Sequence, residues 1–307
     1  GLPLSRLTPK KDRVSVDEAA LRPLISHSTA VAVLLSYRGL KKSSCLVPGT
    51  RVLTADLTWK PIEQVREEDE LVGFDEFPND TEKYRKLRRT TVEAVYEDFD
   101  AILEVETDRG NVRATASHRW LTSDGRWVAT QDLCKGESLR WLSKPTDRGD
   151  YWDSGYVSAA FDGEGCYSGN TLTMSQKPNR LLDKVNAVLK RRGFDVPQTD
   201  HDDGVSSINI RGGLSEHIRF FALFQPQRLL VPWEGQIQRG KGATVLRVRR
   251  CGVSPVWDIQ TSTRTFIAEG FLSHNSTYLE PWLAMDRLTS LWHQTGTRTS
   301  RWSSSKP

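Results

Sequence analysis

Cys45-Leu-Val-Pro-Gly-Thr-Arg-Val-Leu53 and Phe266-Ile-Ala-Glu-Gly-Phe-Leu-Ser-His-Asn275 are the two stretches whose reading decides the fold. Pro48-Gly49 breaks the pattern that precedes it, and from Arg51 to about Leu142 the texture is β. Runs such as Arg51-Val-Leu-Thr54, Thr91-Val-Glu-Ala-Val95 and Ile102-Leu-Glu-Val-Glu106 alternate apolar and polar residues. Turn signals separate them at Asp108-Arg-Gly-Asn111 and Ser123-Asp-Gly-Arg126. The β texture resumes at Thr244 and lasts to Asn275, so many short strands form one module divided in two.

Outward from that module the chain changes character. Lys144 to Asp150 has linker composition. Residues 151–235 alternate helix and strand: a Gly-rich helix end, a β run at Thr171 to Ser175, an amphipathic helix at Asn179 to Arg192, a strand at Ser207 to Arg211 and a helix at Ser215 to Phe224. Ahead of Cys45, Ser15-Val-Asp-Glu18 fits a capping box, and Leu21, Leu24 and Ile25 repeat at helical spacing, predicting helix over 15–44. A helical run of about four turns is expected again after Ser276. Deleting residues 45–275 joins Tyr37-Arg-Gly-Leu-Lys-Lys-Ser-Ser44 to Ser276-Thr-Tyr-Leu-Glu-Pro281 in one continuous helical segment.

The 307 residues carry 37% hydrophobic and 27% charged side chains, a soluble composition with room for two or three domains. No run of about 18 apolar residues exists, so no membrane-spanning helix is expected, and no signal peptide is evident at Gly1. The expectation is a cytoplasmic protein of a bacterial or phage-infected cell. Four scattered cysteines, Cys45, Cys134, Cys166 and Cys251, form no C-x-x-C pair and argue against a zinc site or a disulfide framework. The net charge of +4 decides little by itself.

The residues at the two module edges suit one chemistry. A thiol at Cys45 can attack the carbonyl just before it and convert an amide to a thioester. A hydroxyl on Ser276 can accept the acyl group, and the Asn275 carboxamide can cyclise on its own carbonyl and cut the chain. Each step is intramolecular, where alignment contributes on the order of 7–11 kcal/mol.

These stretches resemble the splicing motifs of inteins of the Hint fold. Cys45 to Leu53 resembles the first motif, Thr115-Ala-Ser-His118 the T-x-x-H motif, and Trp257-Asp-Ile with Phe266 to Asn275 the C-terminal motifs. The resemblance implies a mainly β Hint horseshoe in two halves, 45–144 and 241–275, and autocatalytic splicing without a cofactor. By the same resemblance Cys45 is the first nucleophile, and His118 protonates the departing nitrogen while Thr115 orients the amide. Asp258 assists transfer to Ser276, and His274 promotes cyclisation of Asn275. Arg264 stands where many inteins carry a histidine, so proton transfer at the last step must come from His274 or elsewhere. A Hint-like insertion that does not react is the alternative; Hedgehog-like autoprocessing has no use for Asn275 and Ser276.

Val157 to Gly165, within Ser154-Gly-Tyr-Val-Ser-Ala-Ala-Phe-Asp-Gly-Glu-Gly165, resembles the LAGLIDADG motif of homing endonucleases. The resemblance implies an α/β insert over 145–240, close packing of small residues in a homodimer, and Glu164 as catalytic acid and Mg²⁺ ligand. Its partner would be double-stranded DNA, the intein-free gene, with Gln176, Lys177, Lys184, Lys190, Arg191 and Arg192 as candidate phosphate contacts. The flanks, 1–44 and 276–307, resemble the thumb and the segment before the palm of family A DNA polymerases. There Arg22, Lys41, Lys42 and Arg301 would meet the primer–template backbone, and the helical polymerase flanks lack the catalytic carboxylates.

Overall fold

The computed structural model describes residues 7–10, 13–17, 44–78, 84–148, 152–168, 171–230, 236–237, 242–275, 287–293 and 303–304. The chain divides into two compact units, residues 44–275 and residues 1–43 with 276–307.

The larger unit is mainly β. One sheet runs in the order Trp59–Pro61, Arg51–Leu53, Thr265–Ala268, Phe271–His274, Arg119–Leu121, Trp127–Ala129. The last hairpin of the unit is therefore inserted between strands from its beginning, which carries Asn275 back toward Cys45. The two-residue turn of that hairpin, Glu269-Gly270, has φ of 49° and 85°. Those positive angles match the twist of the flanking strands, and the glycine meets its half of the requirement without a Cβ penalty.

A second sheet is built on two long strands, Arg85–Thr107 and Gly242–Thr261, paired antiparallel with irregularities near Val245, Arg250 and Gln260. Glu70–Phe74 and Gly110–Thr115 pair with the first of these, and Ser138–Arg140 with the second. The sequence runs at Thr91 and Ile102 belong to one strand, not two. Residues between them are largely exposed and acidic, so no apolar alternation marks their continuity; pairing of Asp98, Phe99 and Asp100 with Val256, Pro255 and Ser254 does.

The intervening residues form a helix Trp152–Glu164, strands Gly165–Ser168 and Thr171–Gln176, a helix Arg180–Arg191, strands Gln198–Asp200 and Ser206–Asn209, and a helix Leu214–Phe224. Asn179 caps its helix by accepting from the amides of Leu181 and Leu182, each at 3.0 Å. The four strands make one antiparallel sheet, which buries Leu172, Met174 and Ile208 against Phe161, Phe220 and Phe221. This core is continuous with Leu53, Phe74, Leu87, Ile267 and Leu272 of the β sheets, so the insert is packed onto the module and not tethered beside it. Gln225 Nε2 donates to the Asp56 carbonyl at 2.9 Å across that contact.

In the smaller unit, the described residues are strands. Arg13–Asp17 pairs antiparallel with Leu7–Lys10 and with Arg287–His293, and the latter with Ser303–Ser304. This corrects the helical expectation at 15–17 and at 287–290. Arg13-Val-Ser-Val-Asp17 places β-branched valines at a two-residue period, and pairing on both sides outweighs the capping box that Ser15 and Glu18 could form. Arg22, Lys41, Lys42, Ser276 and Arg301 lie outside the described residues. No helix among the described residues is long and apolar enough to cross a membrane.

Candidate active site

The chain enters the larger unit as an edge between two strands. Leu46 pairs with Trp257 through both backbone bonds, at 2.9 and 2.8 Å, and bridges Ala114 on its other side. That pairing fixes Cys45 and Ser44 in the interior, where they are 1% and 7% exposed. The thiol-bearing residue clusters with Ile102 and Val256. Asp258, also buried, follows the Trp257 that pairs with Leu46.

Thr115 and His118 are separated by a tight turn, closed by the His118 amide donating to the Thr115 carbonyl at 3.2 Å. The two-residue gap between them is thus what turns both side chains onto one peptide bond. The Cys45 amide donates to Thr115 Oγ1 at 3.0 Å, and the Thr115 amide donates to the Cys45 carbonyl at 3.0 Å. His118 Nδ1 lies 3.0 Å from the carbonyl oxygen of Ser44, and Nε2 lies 2.7 Å from Ser273 Oγ. A carbonyl can only accept, so the proton sits on Nδ1 and Nε2 accepts from the serine hydroxyl. The ring is fully buried against Trp120. Burial holds its pKa at about 3, against the raising effect of the Ser44 carbonyl, with His274 and Arg119 pushing the same way as burial.

The other junction is built the same way. His274 Nδ1 is 2.6 Å from the carbonyl oxygen of Asn275, and its Nε2 is 2.9 Å from Glu76 Oε1. Arg119 Nη2 stands 3.0 and 3.3 Å from the two ring nitrogens, nearly equidistant, so it faces the ring and not one lone pair. Burial lowers the pKa of His274, opposed by the Glu76 hydrogen bond, while Arg119 lowers it further and the Asn275 carbonyl raises it. The Trp127 ring packs edge-on at 4.8 Å.

Asn275 is 1% exposed and held by a turn. In the amide orientation that satisfies both contacts, its Nδ2 donates to the Arg264 carbonyl and its Oδ1 accepts from the Thr261 amide at 2.8 Å. Its backbone amide donates to the same Arg264 carbonyl at 3.1 Å. Arg264 has φ of 62°, a left-handed conformation that aims this carbonyl at Asn275. Position 264 therefore acts through its backbone, and its side chain faces Glu76 with Nη1 3.9 Å from Oε2. The strand Glu70–Phe74 approaches this turn closely enough that a Cβ at Gly73 would lie 2.8 Å from the Thr265 carbonyl oxygen. The two junctions meet directly: Ser44 Oγ donates to the His274 carbonyl at 3.1 Å.

No protein-family model matches the chain, and no curated protein matches it in sequence. Among solved structures it is similar to a DnaB intein from Synechocystis, at 13% identity over 76% of this chain and 98% of that one, with a TM-score of 0.38. It is also similar to the gp41-1 intein, at 11% identity over 75% and 98%, TM-score 0.36. A bacterial intein-like domain from Clostridium thermocellum matches at 11% identity over 75% and 98%, TM-score 0.34.

The structure thus brings together Cys45, Thr115, His118, His274 and Asn275. Sequence reasoning missed Ser273, Arg119 and Glu76. The first two lie inside or beside motifs already singled out, and their alternation along a strand could have drawn notice. Glu76 lies in a loop 198 positions from its partner and carries no signal.

Two of the candidate DNA residues, Lys184 and Arg191, contact the start of the helix Trp152–Glu164. Glu164 is exposed at the C-terminal end of its helix, whereas Arg191 pairs with Asp153 near the helix start, about 16 Å away along the axis. The Lys184 ammonium sits over the Trp152 ring at 3.9 Å. Lys190 and Lys177 are exposed, and Gln176 and Arg192 half-buried. Asp162, beside Glu164 in sequence, accepts from the amides of Gln227 and Arg228 at 3.1 and 2.8 Å. Among the described residues no three His, Cys, Asp or Glu side chains converge as metal ligands. Glu164 by itself does not make a Mg²⁺ site.

Proposed function

We propose that the chain splices itself, excising residues 45–275 and joining Ser44 to Ser276. The observation that carries this reading is that each of the two carbonyls to be attacked has a buried imidazole nitrogen at hydrogen-bonding distance: His118 Nδ1 at Ser44 and His274 Nδ1 at Asn275.

In the first step Cys45 Sγ bonds to the Ser44 carbonyl carbon, the C–N bond to Cys45 breaks, and the proton lost by the thiol is the one gained by the departing Cys45 nitrogen. Charge develops on the Ser44 oxygen, where the neutral His118 Nδ1–H already points; a preorganised donor of this kind is worth about 2.7–4 kcal/mol. Thr115 Oγ1 holds the Cys45 nitrogen that becomes the free amine. His118 is thereby assigned to the oxygen, as a hydrogen-bond donor, in place of the general acid to nitrogen that the resemblance implied. Ser276 then takes the acyl group from sulfur to oxygen, with Asp258 as the candidate assistant. Finally Asn275 Nδ2 attacks its own carbonyl carbon, the peptide bond to Ser276 breaks, and a succinimide ends the excised piece. Transfer of the joined flanks from ester to amide completes the ligation.

Mass spectrometry of the expressed 307-residue chain tests this. Splicing gives a free 45–275 piece and the joined flanks. Intact precursor alone, after long incubation with reductant, refutes splicing and favours the inert insertion.

For the insert, the order helix–strand–strand–helix–strand–strand–helix over a single antiparallel sheet supports the LAGLIDADG reading. On that reading residues 145–240 are a homing-endonuclease insert that needs a second copy to complete its acids. Incubation with Mg²⁺ and an uninterrupted family A polymerase gene should give one cut near the insertion point; no cut sinks the nuclease activity. The polymerase reading of the flanks is proposed on the joined sequence Leu34 to Ser44 and Ser276 to Tyr278.

A further inference from the structure

We infer that Glu76 is a positioning residue for the last cut, acting through His274 to keep a hydrogen on the ring nitrogen that faces the Asn275 carbonyl. The inference rests on the splicing reading and names a participant outside the motifs that carry it.

Both ring nitrogens of His274 face groups that accept. The Asn275 carbonyl oxygen lies 2.6 Å from Nδ1, and a contact that short requires a proton between the two atoms. Glu76 Oε1 lies 2.9 Å from Nε2. A neutral ring beside an ionised Glu76 leaves one of the two contacts as lone pair against lone pair. Both contacts are satisfied when one proton lies between Nδ1 and the Asn275 oxygen and a second between Nε2 and Glu76 Oε1, so that the Asn275 oxygen meets a donor.

The charged groups around His274 fit this arrangement. Arg119 faces the ring and opposes an isolated imidazolium, and His118 bears on it from the first junction without charge of its own. Arg264 Nη1 lies 3.9 Å from the other Glu76 oxygen. When Asn275 Nδ2 bonds to the carbonyl carbon, the oxygen takes up charge and Nδ1–H strengthens its bond or gives up its proton. As the tetrahedral carbon collapses the oxygen returns that proton to Nδ1, the proton shared between Nε2 and Glu76 stays in place, and the proton leaving Nδ2 passes to the departing Ser276 nitrogen. Protons balance: the one lost by Nδ2 is the one gained by the new amine.

The test measures the two cuts separately on the full chain. Thiol-induced cleavage before Cys45 reports the first junction, and release of 276–307 reports the second. Glu76→Gln should slow the second cut at least tenfold and move its pH optimum to lower pH, where solution protons replace the missing one. Cleavage at the first junction should stay within about twofold, and Glu76→Asp should restore part of the second cut. An unchanged rate and pH profile in Glu76→Gln overturns the inference, as does equal slowing of both cuts, which marks a structural role. If the parent chain cuts at neither junction, the splicing reading itself fails and takes the inference with it.

Discussion

His118 gives a stability prediction that can be worked to a number. Its pKa is held at about 3 in the folded chain against 6.5 in a free histidine. A histidine with a lowered folded pKa binds its proton more readily when unfolded, so its contribution is fully present above pH 6.5. It is lost as pH falls from 6.5 toward 3. The slope within that window is about 1.4 kcal/mol per pH unit. Between pH 7 and pH 5, His118 alone therefore removes about 2 kcal/mol of stability. His217 and His274, both lowered chiefly by burial, act in the same direction. The assay is urea unfolding at several pH values in a Cys45→Ala, Asn275→Ala background that cannot react. It is repeated with His118→Asn, which has nothing to titrate there. The variant should be less stable at pH 7, and the gap should narrow by about 2 kcal/mol by pH 5. Parallel stability curves for the two proteins would show that His118 titrates normally. The neutral-donor assignment at the Ser44 carbonyl would then be wrong. The same assignment predicts that thiol-induced cleavage shows no inflection near pH 6.5.

Three further tests follow from single contacts. Cys45→Ala should abolish cleavage before residue 45 yet leave release of 276–307, whereas Asn275→Ala should do the reverse; the two products are separable on a gel. Ser273→Ala removes the 2.7 Å bond to His118 Nε2 and leaves a buried acceptor without its donor, at a cost of about 1–3 kcal/mol. If that cost falls on the first transition state, thiol-induced cleavage slows about tenfold for each 1.4 kcal/mol, measured by single-turnover kinetics. Gly73→Ala drives a Cβ into the Thr265 carbonyl and the Thr90 side chain, costing about 1–3 kcal/mol by overpacking. A thermal melt should show this as a fall in Tm of about 2–4 °C per kcal/mol.

Much of the local structure was legible before any coordinates. The helix after Asn179, the strand at Thr171 and the helix ending at Phe224 follow from spacing and capping, which act over a few residues. The junction chemistry was legible for a different reason: a thiol, a hydroxyl and a carboxamide next to a peptide bond have their reactivity wherever the chain goes. The flanks were misread where described, because Ser15 and Glu18 satisfy a helix cap locally while Val14 and Val16 satisfy a strand once partners exist on both sides.

The sequence by itself determined which residues can react and that the module is β. Only the tertiary structure decided what each reacting group touches. It set the C-terminal hairpin between N-terminal strands and so laid Ser273 on His118 and Ser44 on His274. It also brought Glu76 to His274, separated the basic end of one helix from Glu164, and turned the Arg264 carbonyl onto the Asn275 amide. Those outcomes depend on strand order and on hydrogen-bond partners 155 to 230 positions apart. No period in the sequence encodes such pairs; burial forces each polar group to find a partner, and the packed fold selects which one.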